Sequence, residues 1–361
     1  MRQILRFAIT LLIAAGGGAG EGILAQDTPT FLLRIYEDND FINSRGVGTD
    51  DAYTNGTRID LFYTKKHPSR HGIDRLLPKA GENSIDIYGW GIMQLMFTPE
   101  DISQKDYQPN DYPYSGALIA THTLYSYDPV KKFDWQTELV AGVIGPASMA
   151  HQLQSFVHRL IHYQQPMGWS HQFRNDVLAN INMTAEKQLA ASGQWLEIIG
   201  GAQVFGGTML NGVALYPLIR IGKMTPYFQG FISQYSSEGS PAKNHRVKNW
   251  QAYFIIRPEA QIIFTNALLE GGMFTGNPNL KERNAGDAGD YTAGNAGHGA
   301  SGQKGTPLPY RGLRHGVYGL NYGAVVASGN FSISFTQNTS SAMMKGLYCH
   351  EVGNISLYFT W

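Results

Sequence analysis

The last residues of the chain follow the side-chain period of a β-strand. In residues 355–361, the apolar residues Ile, Leu, Phe and Trp alternate with Ser, Tyr and Thr, and the sequence ends on Trp361. A period of two places every apolar side chain on one face of a strand. A terminal strand that ends on an aromatic residue is typical of bacterial outer-membrane barrels, although a strand of a soluble sandwich would show the same alternation.

The composition and the N-terminus favour the barrel. Charged residues make up only 16% of the 361 residues, which include 42 Gly and 20 Tyr, a mixture that suits turns and aromatic girdles. Arg2 and Arg6 flank the start of a short apolar run, and Ala25 precedes an expected cleavage at Gln26. We therefore expect a signal peptide over residues 1–25, export, and one domain over residues 26–361 in the bacterial outer membrane.

Three properties of the sequence argue against other classes of protein. The formal net charge is zero, which gives no support to nucleic-acid binding. Cys349 is the single cysteine, so an internal disulfide framework is excluded, and we expect its thiol to be inert. No stretch approaches the roughly 18 consecutive apolar residues of a transmembrane helix.

The alternating segments predict the number of strands. They lie at residues 30–37, 52–64, 84–98, 116–127, 133–144, 177–190, 194–205, 209–222, 249–264, 312–327, 329–338 and 350–361. An even number of strands lets the sheet close without edges, which lipid cannot satisfy. The predicted fold is all-β, a transmembrane antiparallel β-barrel of about 12 strands with a short helix in an extracellular loop. Residues 236–248 and the Gly-rich residues 276–311 are predicted loops; no GK[ST] element supports a phosphate loop.

The predicted helix spans residues 147–163 and carries candidate catalytic side chains. Gln154 and His158 lie four residues apart and share one face, which His151 can join. The packing side of this helix is predicted to consist of Leu153, Phe156, Val157 and Leu160. A purely structural role for His158 stays open at this point, because neither an HExxH zinc motif nor a GxSxG nucleophile elbow occurs.

Two further groups of polar residues lie near the N-terminus. Residues 37–40 (EDND) combine carboxylate and carboxamide oxygens, the ligands that Ca²⁺ prefers, although a solvated turn fits them equally. Thr54 lies between Tyr53 and an Asn-Gly pair within residues 48–56, a pattern that also indicates a hairpin turn.

Taken together, these motifs resemble the outer-membrane lipid A 3′-O-deacylase family. The resemblance rests on DND at residues 38–40, DAYTNG at 51–56, GVIGP at 142–146 and QSFVH at 154–158. It implies a twelve-stranded barrel that removes the 3′-linked acyloxyacyl group of lipid A by Ca²⁺-dependent ester hydrolysis. The implied site lies near the outer leaflet, between the barrel wall and the extracellular loops. The implied partners are lipid A or lipopolysaccharide as substrate and the lipids of the outer membrane, and we expect a monomer.

The resemblance also implies roles for single residues. The family's Asn-Asp pair falls on Asn39 and Asp40, which would hold Ca²⁺, and its hydroxyl position falls on Thr54. Its Gln and its catalytic His fall on Gln154 and His158. The family's acidic residue six positions beyond the His is replaced by Gln164, which removes a negative charge. Three carboxylates are candidates to replace that charge, namely Asp38, Asp50 and Asp51.

The residues permit a definite chemistry. Neutral His158 can take a proton from water, and a cation held by Asp40 can stabilise the oxyanion of an ester. Six basic residues are candidates to attract lipid A phosphates if they face outside, namely Lys65, Lys66, His67, Lys105, Lys131 and Lys132; a solvated turn or a periplasmic charge cluster is the alternative for each. Lys105 is also a rough counterpart of a basic loop residue of the family. The alternatives are an outer-membrane phospholipase, for which a Ser-centred motif is missing, and a non-catalytic channel or adhesion barrel.

Overall fold

The computed structural model describes residues 30–42, 52–65, 72–82, 84–236, 250–278 and 312–361. Within them, twelve strands pair antiparallel in sequence order, and the first pairs with the last to close a barrel. The strands are β1 Phe31–Asn39, β2 Ala52–Thr64, β3 Ile85–Thr98, β4 Ser115–Asp128, β5 Phe133–Ile144, β6 Asp176–Ser192, β7 Leu196–Gly207, β8 Leu210–Lys223, β9 Gln251–Asn266, β10 Gly316–Ser328, β11 Phe331–Ser340 and β12 His350–Thr360. The predicted all-β barrel and its strand number are confirmed.

The described connections between strands contain four α-helices with defined bounds. They are α1 Gly72–Leu76, α2 Ala150–Leu160, α3 Phe231–Gln234 and α4 Ala267–Glu270. None of the described helices has the length and apolar character needed to cross a membrane. The helix α2 lies within the helix predicted for residues 147–163. The predicted signal peptide and most of the loops at 236–248 and 276–311 lie outside the described residues.

The outward face of the barrel is apolar. Ile35 of β1 pairs with Ile59 of β2, and both side chains are exposed. Trp90 and Ile92 of β3 are exposed in the same way, two positions apart. Exposed aliphatic and aromatic side chains at alternate positions form the surface that lipid requires of a barrel wall.

The interior of the barrel holds a charged cluster halfway along its length. The carboxylate of Asp60, which is buried, accepts from Arg34 at 2.7 Å and from Arg58 at 2.8 Å. Arg58 also bonds to Glu138 of β5 at 2.6 Å. Each charge therefore has an oppositely charged partner, which buried ions need if they are to be tolerated.

Both ends of the interior are packed with side chains. At the end where β1 begins, the ring of Phe231 in α3 lies against Phe62 and Tyr125. At the opposite end, called here the α2 rim because β1 ends and α2 lies there, Leu268 and Leu269 of α4 pack in one apolar cluster with Phe173. The barrel is thus filled, unlike the water-filled interior of a porin.

Asp60→Asn should destabilise the barrel strongly. The substitution leaves Arg34 and Arg58 short of a buried counter-charge, and breaking such an arrangement costs about 3 kcal/mol in the free energy of unfolding. Urea titration of the protein in detergent micelles measures this. Asp101→Asn is the control, because that carboxylate lies in an exposed connection and should leave the unfolding midpoint unchanged. Equal midpoints for the two variants would contradict the structural role of the charged cluster.

Candidate active site on the outer wall

The helix α2 begins later than its sequence indicates. Gly145 and Met149 both have positive φ angles, 94° and 60°, and a 3₁₀ helix Pro146–Ser148 lies between them. Because the left-handed Met149 cannot continue a right-handed helix, the regular α2 starts at Ala150. The predicted start at residue 147 therefore differs from the structure by one short turn.

The faces of α2 are reversed relative to a helix on a water-soluble protein. Gln154 and His158 are buried, with 3% and 7% of their surface exposed. Phe156 and Leu160 are exposed at 51% and 64%, and Val157 is exposed as well. Of the four apolar residues predicted to form the packing side, only Leu153 packs against an apolar cluster. The prediction is therefore wrong for Phe156, Val157 and Leu160. A buried polar face and an exposed apolar face suit a helix whose surroundings include lipid.

A second expectation for this helix also fails. His151 is exposed and does not join the buried face of Gln154 and His158. Its ring instead stacks on Trp169, with 5.9 Å between the ring centroids.

The helix is seated on the outer wall of β3 and β4. Gln94 and Met96 share the outward face of β3 with the exposed Ile92, since they follow it at intervals of two. Gln94 Nε2 donates to the carbonyl of Ser148 at 2.6 Å. Met96 packs in a buried cluster with Ala150 and Trp169. The α2 helix therefore lies outside the barrel, against its wall.

Close approach of α2 to the wall depends on one glycine. A Cβ atom placed on Gly116 of β4 would lie 2.3 Å from the Cβ of Ala150. Real carbon atoms do not approach so closely, so a larger residue at position 116 would push the helix away from the strand.

The orientation of Gln154 is fixed by a residue that the sequence did not indicate. The indole Nε1 of Trp169, which is buried, donates to Gln154 Oε1 at 2.7 Å. With its oxygen directed at Trp169, the amide nitrogen of Gln154 points elsewhere. Trp169 lies in the short 3₁₀ helix Trp169–His171, and a spacing of 15 residues carries no periodic signal that links the two.

A backbone carbonyl orients the imidazole of His158. The distance between His158 Nδ1 and the carbonyl oxygen of Gln164 is 2.5 Å. A carbonyl oxygen only accepts, so Nδ1 carries the hydrogen and the neutral ring keeps a lone pair on Nε2. The ring also meets Tyr163 edge-on, with centroids 5.1 Å apart. The position at which the sequence lacks the family's acidic side chain thus contributes its main chain instead.

Asn39 and Asp40 mark the end of β1 at the α2 rim. The Oδ1 of Asn39 accepts from the backbone N–H of Phe41 at 2.9 Å, which turns the chain away from the strand. Asp40 is buried and opens a 3₁₀ helix, Asp40–Ile42. The carbonyl of Ile42 approaches β12 so closely that a Cβ at Gly353 would lie 2.1 Å from it.

A β-bulge brings Thr54 to the outward face. The register of β2 against β3 shifts between Tyr53 and Asn55, so Thr54 is the extra residue. Its hydroxyl lies 2.6 Å from the hydroxyl of Thr98, which shares the outward face of β3 with Met96. Bulges often re-aim a side chain beside an active site. Pairing of the predicted strands could have suggested Thr98, since both strand ends lie at the same rim.

All five predicted site residues lie at the α2 rim, in two groups. Asn55, directly after Thr54, pairs in register with Met96, which in turn packs under α2. Asn39 ends β1, Asp40 follows it, and Thr54 lies in β2, the neighbour of β3. Gln154 and His158 lie on α2, which is seated on β3 and β4.

Other predicted contributors lie elsewhere. Asp38 faces the barrel interior, where it accepts from Tyr36, Tyr53 and Asn354, so it does not replace the missing charge at position 164. Asp50, Asp51, Lys66 and His67 lie outside the described residues.

The predicted basic residues divide between the two ends of the barrel. Lys65 follows β2, and Lys131 and Lys132 connect β4 to β5, all at the end opposite the α2 rim. These three lysines therefore lie away from the candidate site. Lys105 lies in the exposed connection from β3 to β4, at the α2 rim.

Comparisons with known proteins agree with this architecture. LpxR from Salmonella typhimurium matches with a TM-score of 0.64 at 14% sequence identity, over 91% of this chain and 99% of that chain, which indicates a shared fold. The β domain of the Bordetella autotransporter Brka matches with a TM-score of 0.40 at 7% identity, over 92% and 98% of the two chains, which is too low to support an inference.

No curated protein sequence matches the chain at a significant level. The sequence profile of the outer membrane protein LpxR family matches residues 5–361. Since that match covers nearly the whole sequence, the protein belongs to the outer membrane protein LpxR family.

Proposed function

We propose that this protein is a Ca²⁺-dependent esterase that removes the 3′-linked acyloxyacyl group of lipid A in the outer membrane, with water as the nucleophile. The observation that carries the proposal is the reversed polarity of α2. A helix that buries Gln154 and His158 and exposes Phe156 and Leu160 encloses polar groups beside an apolar surface that lipid can cover. Lipid esters lie at the membrane interface, where the rim of a barrel can reach them.

His158 serves as the general base. Its Nε2 takes a proton from water as the water oxygen forms a bond to the ester carbonyl carbon. The Gln164 carbonyl, 2.5 Å from Nδ1, holds the ring in place and stabilises the positive charge that develops on it. The ester C–O bond then breaks, and His158 returns the proton to the departing sugar oxygen. The products are a free acyloxyacyl carboxylic acid and a lipid A hydroxyl.

The neighbouring polar groups orient the reactants. Trp169 holds Oε1 of Gln154 and so fixes the orientation of its carboxamide, whose nitrogen can only donate. Thr54 and Thr98 share one hydrogen bond, which fixes both hydroxyl groups on the outward face. We assign Thr54 a positioning role, because no basic side chain is bonded to it as an activated nucleophile requires.

The donor atoms at the end of β1 suit a hard cation. Asp40 and Asn39 offer a carboxylate and a carboxamide, the oxygen ligands that Ca²⁺ prefers. When bound, Ca²⁺ polarises an ester carbonyl and stabilises the negative charge that develops on its oxygen. In the described ranges of the chain, no group of three or more His, Cys, Asp or Glu residues is arranged to hold a metal. We therefore propose a weak site in which neutral oxygens supply most of the ligands.

His158→Asn should reduce deacylation of lipid A by at least about a hundredfold, because general-base catalysis contributes roughly 10²–10⁴ to a rate. Mass spectrometry of lipid A incubated with the purified protein measures the release. His162→Asn is the matched control, since that histidine is exposed two residues beyond the end of the same helix and should retain full activity. Unchanged release by His158→Asn would reject the mechanism. Unchanged lipid A together with phospholipid breakdown by the wild-type protein would favour a phospholipase.

Gln164→Ala should leave the deacylation rate within about twofold of the wild type, because the contact to His158 comes from the main chain and surface substitutions are usually close to neutral. The side chain of Gln164 is exposed and donates only to the carbonyl of Gln165. The steady-state rate and its pH profile measure the effect. A loss as large as that of His158→Asn would show that the side chain, not the carbonyl, orients the base.

Removal of Ca²⁺ with a chelator should abolish deacylation, and half of the activity should return at about 10⁻⁴–10⁻³ M free Ca²⁺, the range of sites with few charged ligands. Titration calorimetry provides a reading independent of activity. Asp40→Asn should weaken Ca²⁺ binding in both measurements, whereas Asp101→Asn, in an exposed connection, should not. Full activity in excess chelator would exclude the metal from the mechanism.

A further inference from the structure

A carboxylate stands on the outward face of β1, among side chains that otherwise face lipid. Glu37 follows the exposed Ile35 on this face and pairs in register with Thr57 of β2 and Ile355 of β12. The side chains of Ile35 and Ile355 are exposed, at 38% and 36%. A charged group on a lipid-facing wall is costly, and those that persist are usually bonded and functional.

Both carboxylate oxygens of Glu37 are bonded to side chains of β2. Oε1 accepts from Asn55 Nδ2 at 2.5 Å, and Oε2 accepts from the hydroxyl of Thr57 at 2.6 Å. Asn55 Nδ2 also donates to the carbonyl of Asp38 at 3.1 Å. Both hydrogens of this amide nitrogen are therefore directed at acceptors, which fixes the direction of the carboxamide oxygen.

Asn55, whose side-chain oxygen is held in this direction, lies next to residues of the proposed site. Asn55 lies directly opposite Asn39 in the β1–β2 register and follows Thr54 at the bulge. The single hydroxyl hydrogen of Thr57 is directed at Glu37, the closer of its two acceptors, since Asn55 Oδ1 is 3.3 Å away. Oδ1 thus keeps its capacity to accept a hydrogen bond on the outward side of the sheet.

We infer that Glu37 is a positioning residue that acts through Asn55. It holds the carboxamide so that Oδ1 of Asn55 accepts a hydrogen bond from a hydroxyl or amide N–H group of the lipid substrate. This inference rests on the proposed esterase function, since it concerns the same substrate. It assigns substrate binding to two residues beyond Asn39, Asp40 and Thr54, and it gives a reason for a carboxylate on the lipid-facing wall.

A double-mutant cycle tests the coupling of the two residues. Glu37→Ala and Asn55→Ala should each lower kcat/KM for lipid A deacylation about tenfold, chiefly through a higher KM. A hydrogen bond that is equally strong in the bound substrate and in the transition state contributes to substrate binding and not to kcat. The double variant should be no worse than Asn55→Ala alone, since Glu37 has no function once its partner is removed. Multiplied effects of the two substitutions would overturn the inference.

A conservative variant separates hydrogen bonding from charge. In Glu37→Gln, the amide oxygen can still accept from Asn55 while its nitrogen donates to Thr57, so kcat/KM should stay within about threefold of the wild type. A loss equal to that of Glu37→Ala would show that the negative charge itself is required and would reject a positioning role.

Two controls keep the outcomes distinguishable. Asp86→Asn removes another outward-facing carboxylate, which is bonded to Lys79 and Ser126 at the opposite end of the barrel, and should not change KM. Heat modifiability of the folded barrel on a gel confirms that each variant is folded. A wild-type protein without activity on lipid A would reject the proposed function. An active wild type with a fully active Glu37→Ala would reject only the role of Glu37.

Discussion

The pairing of β1 with β12 is the interaction on which the rest of the structure depends. The backbone groups of Phe31 and Trp361 exchange hydrogen bonds at 2.9 and 3.1 Å, so the first and last strands complete the sheet. Lipid offers no hydrogen bonds to an open edge, and closure therefore decides which side chains face lipid and which face the interior. Once the faces are assigned, a polar residue on the outward face is an exception that needs a bonded partner.

The proposed site is assembled from such exceptions. The bulge at Thr54 adds one residue to β2, so a hydroxyl reaches the outward face. The alternation of inward and outward side chains in the rest of β2, from Asn55 onward, is unchanged. The helix α2 is seated on the adjoining wall with its polar face buried, and it leaves Phe156 and Leu160 exposed. In the proposed mechanism, the reactive groups lie outside the barrel wall, while the interior of the barrel is filled by side chains. A passage through the barrel is not needed for such chemistry.

The sequence was least informative where the main chain replaces a side chain. An acidic residue at position 164 would have been readable from the sequence, whereas the carbonyl of Gln164 contacts His158 only because the chain turns back after α2. The same limit explains the wrong packing face of α2. Apolar residues at helical spacing indicate the buried side in water, but beside a membrane the exposed side is apolar as well.

The sequence by itself determined the strand order, the closed barrel and the residue types of the site, because a period of two and the motifs around Asn39, Thr54 and His158 are local properties of the chain. The tertiary structure alone decided that these motifs lie at the same rim of the barrel, that Trp169 orients Gln154, and that Glu37 holds Asn55. Those contacts join residues of different strands and loops, and their existence depends on the strand register and on the bulge. Register is a relation between two segments, so no single segment encodes it.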